Sequence, residues 1–295
     1  MNTVFPPIAT ARRLALREAF ASPDILVAPG AYDAITARII ESRGFAAIYV
    51  TGAGMTNAQL GLPDIGLTTM TEMCQTVGRI VNAVDVPVFS DADTGYGNAL
   101  NAARTVKAFE DAGAAGLHIE DQDSSKRCGH LDGKEVIPMA DMCEKIHAAV
   151  EGRRDPNFMV IARTDAAGTA GYDEALRRAD AYADAGADAI FIEALTSREQ
   201  FARFANEAPK APLVANMTEF GKTPLITAAE FEAWGYAAVI FPMTAFRLML
   251  RAVDEGMVDL ARSGTQRDLL SRMRTRSELY QLLDYDPSSN KNEGT

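Results

Sequence analysis

Acidic side chains follow two successive apolar runs of the chain. Asp91 and Asp93 come directly after VPVFS (86–90), and Glu120 ends the run AAGLHIE. If these runs are neighbouring parallel strands, the three carboxylates lie close together and repel each other unless a cation neutralises them. Hard divalent ions prefer oxygen ligands, and Mg²⁺, with Mn²⁺ as an alternative ion, suits such a site best. The competing interpretation is that one or two of these acids only cap the helices that follow.

The polar stretch DQDSSKRCGHLDGK follows the run that ends at Glu120. It holds, in succession, Lys126, Arg127, Cys128, Gly129 and His130. Two cations and an imidazole beside a cysteine favour the thiolate, and such a group can donate or accept a proton near neutral pH. Cys128 is therefore a candidate general acid on a loop long enough to act as an active-site flap. Cys74 and Cys143 fall within helical patterns and are predicted to be packing residues.

Arg163 follows the wholly apolar run FMVIA (158–162). An arginine at the end of a buried strand either pairs with a neighbouring carboxylate or binds a carboxylate of a substrate, because its guanidinium can hold two oxygens at once. The residue types alone leave both interpretations open.

Eight apolar runs of strand length recur between helical patterns. The runs end near residues 28, 51, 90, 120, 162, 193, 216 and 242, and the helical patterns between them cover 32–43, 69–84, 100–112, 139–151, 173–185, 197–207 and 227–234. Gly44, Gly113, Gly186 and Gly235 each close an Ala-rich helical stretch, where a positive φ favours glycine. Eight strands that alternate with helices predict a closed parallel (β/α)₈ barrel of the TIM type, whereas a doubly wound open sheet, the alternative, seldom needs eight strands.

We predict one domain over residues 1–295, with the barrel at about 20–245, further amphipathic helices at 246–282 and a disordered polar tail at 284–295. Catalytic groups of such barrels lie at the carboxyl ends of the strands. Those positions add to the candidates Thr51, Gly52, Ala53, Glu193, Asn216 and Thr218.

The composition excludes several classes of partner. A net charge of −11 argues against nucleic acid and against an anionic membrane, although not against a small anionic substrate. Three cysteines are too few for a disulfide scaffold, and no apolar stretch is typical of a signal peptide or a transmembrane segment. We therefore expect a cytoplasmic protein that binds a small molecule.

The motif KRCGH after IEDQ, with DADTGYG before it and IARTDA after it, resembles the isocitrate lyase/phosphoenolpyruvate mutase superfamily from about residue 10 to 282. The resemblance implies a Mg²⁺-dependent lyase that cleaves a C–C bond of a 2-hydroxy polycarboxylate. VAPGAYDAITARI looks more like members that act on 2,3-dimethylmalate or carboxyvinyl-carboxyphosphonate, whereas ANMTEFGKTPL, FPMTAFR and TRSELY look more like members that cleave 2-methylisocitrate. We expect 2-methylisocitrate as the substrate and pyruvate and succinate as products, with the other two activities as alternatives. The intact set of acids, cysteine and arginine argues against a barrel that only binds.

The resemblance also implies a role for each matching residue. Asp91 and Asp93 would bind the metal, with Glu120 and Asp64 holding its water molecules. Cys128 would be the general acid, and Tyr49 or a metal-linked acid would be the base. The 2-oxo acid half of the substrate would lie against Tyr49, Thr51, Gly52, Ala53 and Arg163. Where Thr51 and Ala53 stand, the family often has Ser and Gly.

The remaining substrate-binding positions implied by the resemblance are Gly129, His130, Phe191, Glu193, Asn216, Thr218, Ile240, Arg247 and Arg276. Phe191 and Ile240 stand where isocitrate lyases place bulkier side chains, so they would leave space for the extra methyl group. Arg247 and Arg276 would serve a tricarboxylate, unless they pair with acids of the C-terminal helices. The resemblance further implies a homotetramer whose last helices are exchanged between subunits.

Overall fold

A computed structural model describes residues 7–123, 135–208 and 211–288. Eight parallel strands form a closed barrel in which each strand pairs with the next and β8 pairs with β1. The strands are β1 (Leu26–Ala31), β2 (Ile48–Val50), β3 (Val88–Asp91), β4 (Gly116–Glu120), β5 (Met159–Thr164), β6 (Ala189–Ile192), β7 (Leu213–Asn216) and β8 (Ala238–Phe241). The predicted TIM-type barrel is confirmed, and each strand ends within three residues of its predicted position.

The helices surround the barrel. They are α1 (Pro7–Ala21), α2 (Ala34–Glu41), α3 (Gly52–Met55), α4 (Met70–Val81), α5 (Ala99–Asp111), α6 (Met139–Gly152), α7 (Ala166–Thr169), α8 (Tyr172–Asp184), α9 (Arg198–Glu207), α10 (Ala228–Trp234), α11 (Thr244–Ser263) and α12 (Arg276–Leu282). A π-helix covers Thr56–Leu60 and a 3₁₀ helix covers Arg267–Arg272. The four glycines predicted to end helices all have φ between 83° and 102°, which confirms their role. Across the described ranges, no helix combines the length and apolar composition that crossing a bilayer requires.

Alternate residues of each strand face opposite sides of the barrel wall. The outward-facing residues pack against the helices, as Leu117 and Ile119 of β4 do. The inward-facing residues form a separate interior core that includes Ala28, Phe89 and Ile161. Because this interior is filled, a substrate has access only at an end of the barrel.

Helix α1 closes the end of the barrel opposite the carboxyl ends of the strands, and its existence was not predicted. Leu16 and Phe20 join the interior core. On the same helix, Arg13 is fully buried, donates to Ala114 O and Glu110 O, and pairs with Asp155 at 2.9 Å. The inner face of α1 therefore carries an arginine as well as apolar residues, so it lacks the continuous apolar stripe by which a helix is recognised in a sequence.

Helices α11 and α12 follow the barrel, as predicted, and leave many apolar side chains exposed. Those exposed by about half or more on α11 are Leu248, Leu250, Val253, Met257 and Val258. A surface of this kind is typical of a protein interface. Of the tail predicted to be disordered, residues 289–295 lie outside the described residues.

Candidate active site

Five strands end in inward-facing polar residues at the same end of the barrel. These residues are Asp91 on β3, Glu120 on β4, Arg163 on β5, Glu193 directly after β6 and Asn216 on β7. The four charged side chains are all less than a tenth exposed. The barrel therefore gathers at one mouth a set of groups that the chain spreads over more than 120 residues.

The turn after β3 brings the main chain of Asp93 against the carboxylate of Asp91. Asp93 N donates to Asp91 Oδ1 at 2.8 Å, and Asp93 O accepts from Glu120 N at 2.9 Å. Asp93 has φ 48°, in the left-handed region that few non-glycine residues adopt. Gly52 lies against this pair so closely that a Cβ there would stand 2.5 Å from Asp91 Oδ2. The position of the Asp91 carboxylate is thus determined from two sides.

Arg163 lies at the centre of three carboxylates. Its Nε and Nη2 donate to the two carboxylate oxygens of Asp165 at 2.8 and 3.2 Å. Nη1 lies 3.3 Å from Glu120 Oε2, and Nη2 lies 3.5 Å from Glu193 Oε2. Burial lowers the pKa of Arg163, but the three carboxylates outweigh burial and raise the pKa well above its usual value. Arg163 therefore stays charged. In this structure it pairs with carboxylates of the barrel, which is the first of the two interpretations that its residue type left open.

The Glu120 carboxylate contacts Arg163 and Gln122. Gln122 Nε2 donates to Glu120 Oε1 at 3.0 Å. In the described part of the chain, no group of three His, Cys, Asp or Glu side chains has an arrangement suited to a metal ion. Arg163 thus supplies positive charge beside Glu120, and the predicted role of Glu120 at the metal stays a prediction. The pair Asp91 and Asp93 still fits Mg²⁺, which commonly takes one or two carboxylates and keeps several water molecules.

Tyr49 of β2 and His118 of β4 form the layer below the mouth. Tyr49 Oη and His118 Nε2 are 2.8 Å apart, and the two rings are stacked. His118 Nε2 also lies 3.7 Å from Asp91 Oδ1. His118 was absent from the candidates, yet it stands two residues before Glu120 on one strand, and residues at this spacing face the same side.

Glu193 and Asn216 form the side of the mouth opposite Asp91. Asn216 Nδ2 donates to Glu193 Oε2 at 2.9 Å, and Ala194 N donates to Glu193 Oε1 at 2.9 Å. Asn216 Oδ1 is buried and has no hydrogen-bond partner among the residues that the structure describes. Thr218 follows two residues later and is half-buried. Glu193 and Asn216, which the resemblance implied as substrate-binding residues, are thus in direct contact.

The segment after β2 turns at once into the short helix α3. Thr51 Oγ1 accepts from Gly54 N at 3.2 Å and so caps this helix. Thr51 N donates to Ala31 O at 3.1 Å, so this amide takes part in the barrel. Gly52 and Ala53 begin the helix, where N–H groups have no acceptor within the helix itself.

Phe191 and Ile240 are both buried in the interior core. The Phe191 ring meets His118 edge-on at 5.2 Å, and the Arg163 guanidinium lies 5.0 Å from the ring centroid. Ile240 pairs in register with Asn216. Both side chains therefore lie beside polar groups of the mouth.

Comparison with known proteins agrees with this geometry. The family model described as phosphoenolpyruvate phosphomutase matches residues 16–261. This chain belongs to that family, which forms part of the isocitrate lyase/phosphoenolpyruvate mutase superfamily. Members of the superfamily depend on a divalent metal ion.

Relatives and solved structures within the family are similar over most of their length. The probable 2-methylisocitrate lyase 2 of Corynebacterium glutamicum is 52% identical over 277 residues, which cover 94% of this chain and 90% of the relative. The 2-methylisocitrate lyase of Aeropyrum pernix is 50% identical over 272 residues, which cover 92% of this chain and 87% of the relative. A crystal structure of 2,3-dimethylmalate lyase is 39% identical, with a TM-score of 0.88 over 95% of this chain and 92% of the other.

Two arginines that the family resemblance suggested lie apart from Arg163. Arg247, on the first turn of α11, pairs with Glu219 at 3.4 Å and stacks on Phe220, whose ring is 91% exposed. Its acid comes from the loop after β7 and not from the C-terminal helices. Arg276 begins α12, is exposed and lies in a surface cleft with other residues of α12 and the segment that follows it.

Other positions implied by the family resemblance lie in loops away from the strand ends or outside the described residues. Asp64 is half-buried in the loop between the π-helix and α4. Cys128, Gly129 and His130 lie outside the described residues. Cys74 is partly buried within α4, and burial raises the pKa of its thiol to about 11, as suits a packing residue.

Proposed function

We propose that this protein is a Mg²⁺-dependent lyase that cleaves 2-methylisocitrate to pyruvate and succinate. The observation that carries the proposal is the set of buried acids at the barrel mouth: Glu120, Asp165 and Glu193 surround Arg163, and Asp91 and Asp93 stand at the end of the adjacent strand β3 and just after it. Such a cluster repels an anionic substrate unless a further cation is present. Relatives at 44–52% identity that bear the name 2-methylisocitrate lyase support this choice of reaction.

Asp91 and Asp93 would hold the ion, with Mn²⁺ as the alternative to Mg²⁺. Glu120 and Asp64 would orient its water molecules. When bound, the ion supplies positive charge for the substrate carboxylate and polarises the oxygen at which negative charge develops. A site with two protein ligands leaves most of the coordination sphere to water and substrate, as is usual for Mg²⁺.

Arg163 would clamp the carboxylate of the 2-hydroxy acid half, and the amides of Gly52 and Ala53 would face the same half. Tyr49 Oη would accept the hydroxyl proton while its own phenolic proton passes to His118 Nε2, which lies 2.8 Å away. The C2–C3 bond then breaks, the hydroxyl carbon becomes the ketone of pyruvate, and the electron pair stays on the succinyl fragment. Cys128 Sγ would return a proton to that carbon and complete succinate.

The rest of the substrate would contact the other side of the mouth. Glu193, Asn216 and Thr218 would bind its polar groups, and the unpartnered Asn216 Oδ1 offers an acceptor for a donor of the ligand. Gly129 and His130 are proposed from the motif alone. Phe191 and Ile240 would leave room for the methyl group that distinguishes methylisocitrate from isocitrate. One methyl-sized difference is worth about 1–3 kcal/mol, so this preference is not absolute.

Arg247 and Arg276 would provide charge for a tricarboxylate. Arg247 can provide this charge within one subunit if its guanidinium leaves Glu219 and pairs with a substrate carboxylate. Arg276 is exposed on α12, so its contribution requires the exchange of helices between subunits in a homotetramer. The exposed apolar residues of α11 support such an assembly.

A second candidate is cleavage of 2,3-dimethylmalate, favoured by the similarity to the structure of that lyase. Phosphonate rearrangement, after which the family is named, is the third. A panel assay separates them: methylisocitrate, dimethylmalate, isocitrate, oxaloacetate and phosphonopyruvate, each with and without Mg²⁺. We expect the highest kcat/KM with methylisocitrate and none after chelation. Turnover of phosphonopyruvate without any hydroxy acid cleavage would replace the lyase assignment.

A further inference from the structure

We propose that Asp121, Arg178 and Tyr182 form a positioning group that keeps the Arg163 guanidinium in the orientation in which it binds a carboxylate. Asp121 directly follows Glu120 at the end of β4, Arg178 and Tyr182 lie on α8, and none of the three faces the barrel mouth as Arg163 does. The inference rests on the proposed role of Arg163 in binding a substrate carboxylate.

Asp121 is a buried carboxylate that is bonded on both oxygens. Oδ2 accepts from Thr164 Oγ1 at 2.8 Å, from Tyr182 Oη at 2.8 Å and from Arg178 Nη1 at 3.0 Å. Oδ1 accepts from Asp165 N at 2.9 Å. The side chain of Asp121 is fully buried, so each of these bonds forms in a medium of low dielectric, where a charge-assisted hydrogen bond is strong.

These bonds fix the main chain that carries the clamp. Asp121 N donates to Arg163 O at 3.2 Å, and the Asp121 carboxylate binds Thr164 and Asp165, the two residues that directly follow Arg163. Asp165 in turn binds the guanidinium with both oxygens. A displacement of Asp165 therefore moves the partner that orients Arg163. Glu120, which precedes Asp121, contacts the same guanidinium from β4.

Arg178 connects this group to the outer layer of the barrel. From α8 it donates to Asp121, to Tyr182 Oη at 3.0 Å and to Ile137 O at 3.0 Å. Its Nε donates to Glu174 Oε1 at 2.9 Å. The guanidinium thereby neutralises the buried carboxylate and ties the end of β4 to residue 137. A packing role alone would not require both oxygens of Asp121 to bind the two residues next to Arg163.

The test compares two buried tyrosines that each lose one hydroxyl. Tyr182→Phe removes the donor to Asp121, whereas the control Tyr236→Phe removes a bond of 3.2 Å to Phe201 O at a distant part of the fold. Oxalate, whose two adjoining carboxylates resemble the carboxylate and the neighbouring carbonyl oxygen of a 2-oxo acid half, serves as the probe with Mg²⁺ in calorimetry. We expect Tyr182→Phe to weaken oxalate binding and lower kcat/KM by roughly tenfold, since small misplacements of binding groups are costly.

Tyr182→Phe should lose more thermal stability than Tyr236→Phe, because its hydroxyl bonds two charged groups, and Tyr236→Phe should keep the kinetics and oxalate affinity of the wild type. A second pair tests the link at Thr164: Thr164→Val should resemble Tyr182→Phe, and Thr164→Ser, which keeps the hydroxyl, should restore binding. Equal kinetics of Tyr182→Phe and Tyr236→Phe would overturn the proposal.

Oxalate binding separates this inference from the proposed reaction. If the wild type binds oxalate but cleaves no hydroxy acid, the proposed function fails, and the ratio of oxalate affinities still decides whether the group positions Arg163. If the wild type binds no oxalate, Arg163 holds no carboxylate and the positioning proposal falls with it.

Discussion

Substitution of Gly52 by alanine tests how closely the Asp91 carboxylate is positioned. A Cβ at residue 52 would stand 2.5 Å from Asp91 Oδ2 and 2.9 Å from Asp91 Cγ, whereas ordinary contacts begin at 3.4 Å. The oxygen must therefore move by about 0.9 Å. It cannot rotate away without loss, because Asp91 Oδ1 is bonded to Asp93 N at 2.8 Å.

We expect Gly52→Ala to impair function and not folding. Gly52 is the first residue of α3, where alanine is an acceptable and even favourable residue. A displacement of about 1 Å in a binding or catalytic group costs on the order of 10²-fold in rate. We therefore expect Gly52→Ala to lower kcat/KM by roughly 10²-fold and to raise the Mg²⁺ concentration needed for half-maximal activity, while the melting temperature changes by only a few degrees.

Gly78→Ala is the matched control. Gly78 lies in α4, and a Cβ there would meet nothing closer than Ala112 O at 3.9 Å. This variant should be fully active and gain about 0.5–1 kcal/mol in free energy of unfolding. Magnesium titrations of the lyase rate and thermal melts of both variants are the measurements. If Gly52→Ala keeps activity and magnesium dependence within twofold of the wild type, the carboxylate of Asp91 is not a critical metal ligand.

Other expected outcomes follow from the same site. Asp93→Ala should abolish Mg²⁺-dependent turnover while circular dichroism stays unchanged; activity that survives excess chelator would contradict this. Cys128→Ser should lower kcat by about 10²–10⁴-fold with little change in KM, because a proton donor that acts after bond cleavage adds little to substrate binding. Iodoacetamide should modify Cys128 faster than Cys74, whose pKa of about 11 keeps it protonated, as mass spectrometry of the labelled peptides would reveal. Light scattering at micromolar concentration should give the mass of a tetramer, and a monomer would refute the assembly.

The barrel could be predicted because its signals are local. Apolar runs of strand length and glycines with positive φ at helix ends, such as Gly113 and Gly235, are properties of a few neighbouring residues. Helix α1 could not be predicted from such local signals. Its buried Arg13 is stabilised by Asp155 and by the carbonyl oxygens of Glu110 and Ala114, none of which is near it in the chain.

The sequence by itself determined which residues stand at strand ends, and so it identified Asp91, Glu120 and Arg163 as members of one site. Their partners depend on how the barrel closes. Tyr49 and His118 are 69 residues apart, and Arg163 meets Glu120 and Glu193 only because β4, β5 and β6 are adjacent in register. Tertiary structure alone therefore decided that Glu120 contacts Arg163. The physical reason is that charge compensation depends on distances of 3–4 Å, which a linear pattern does not contain.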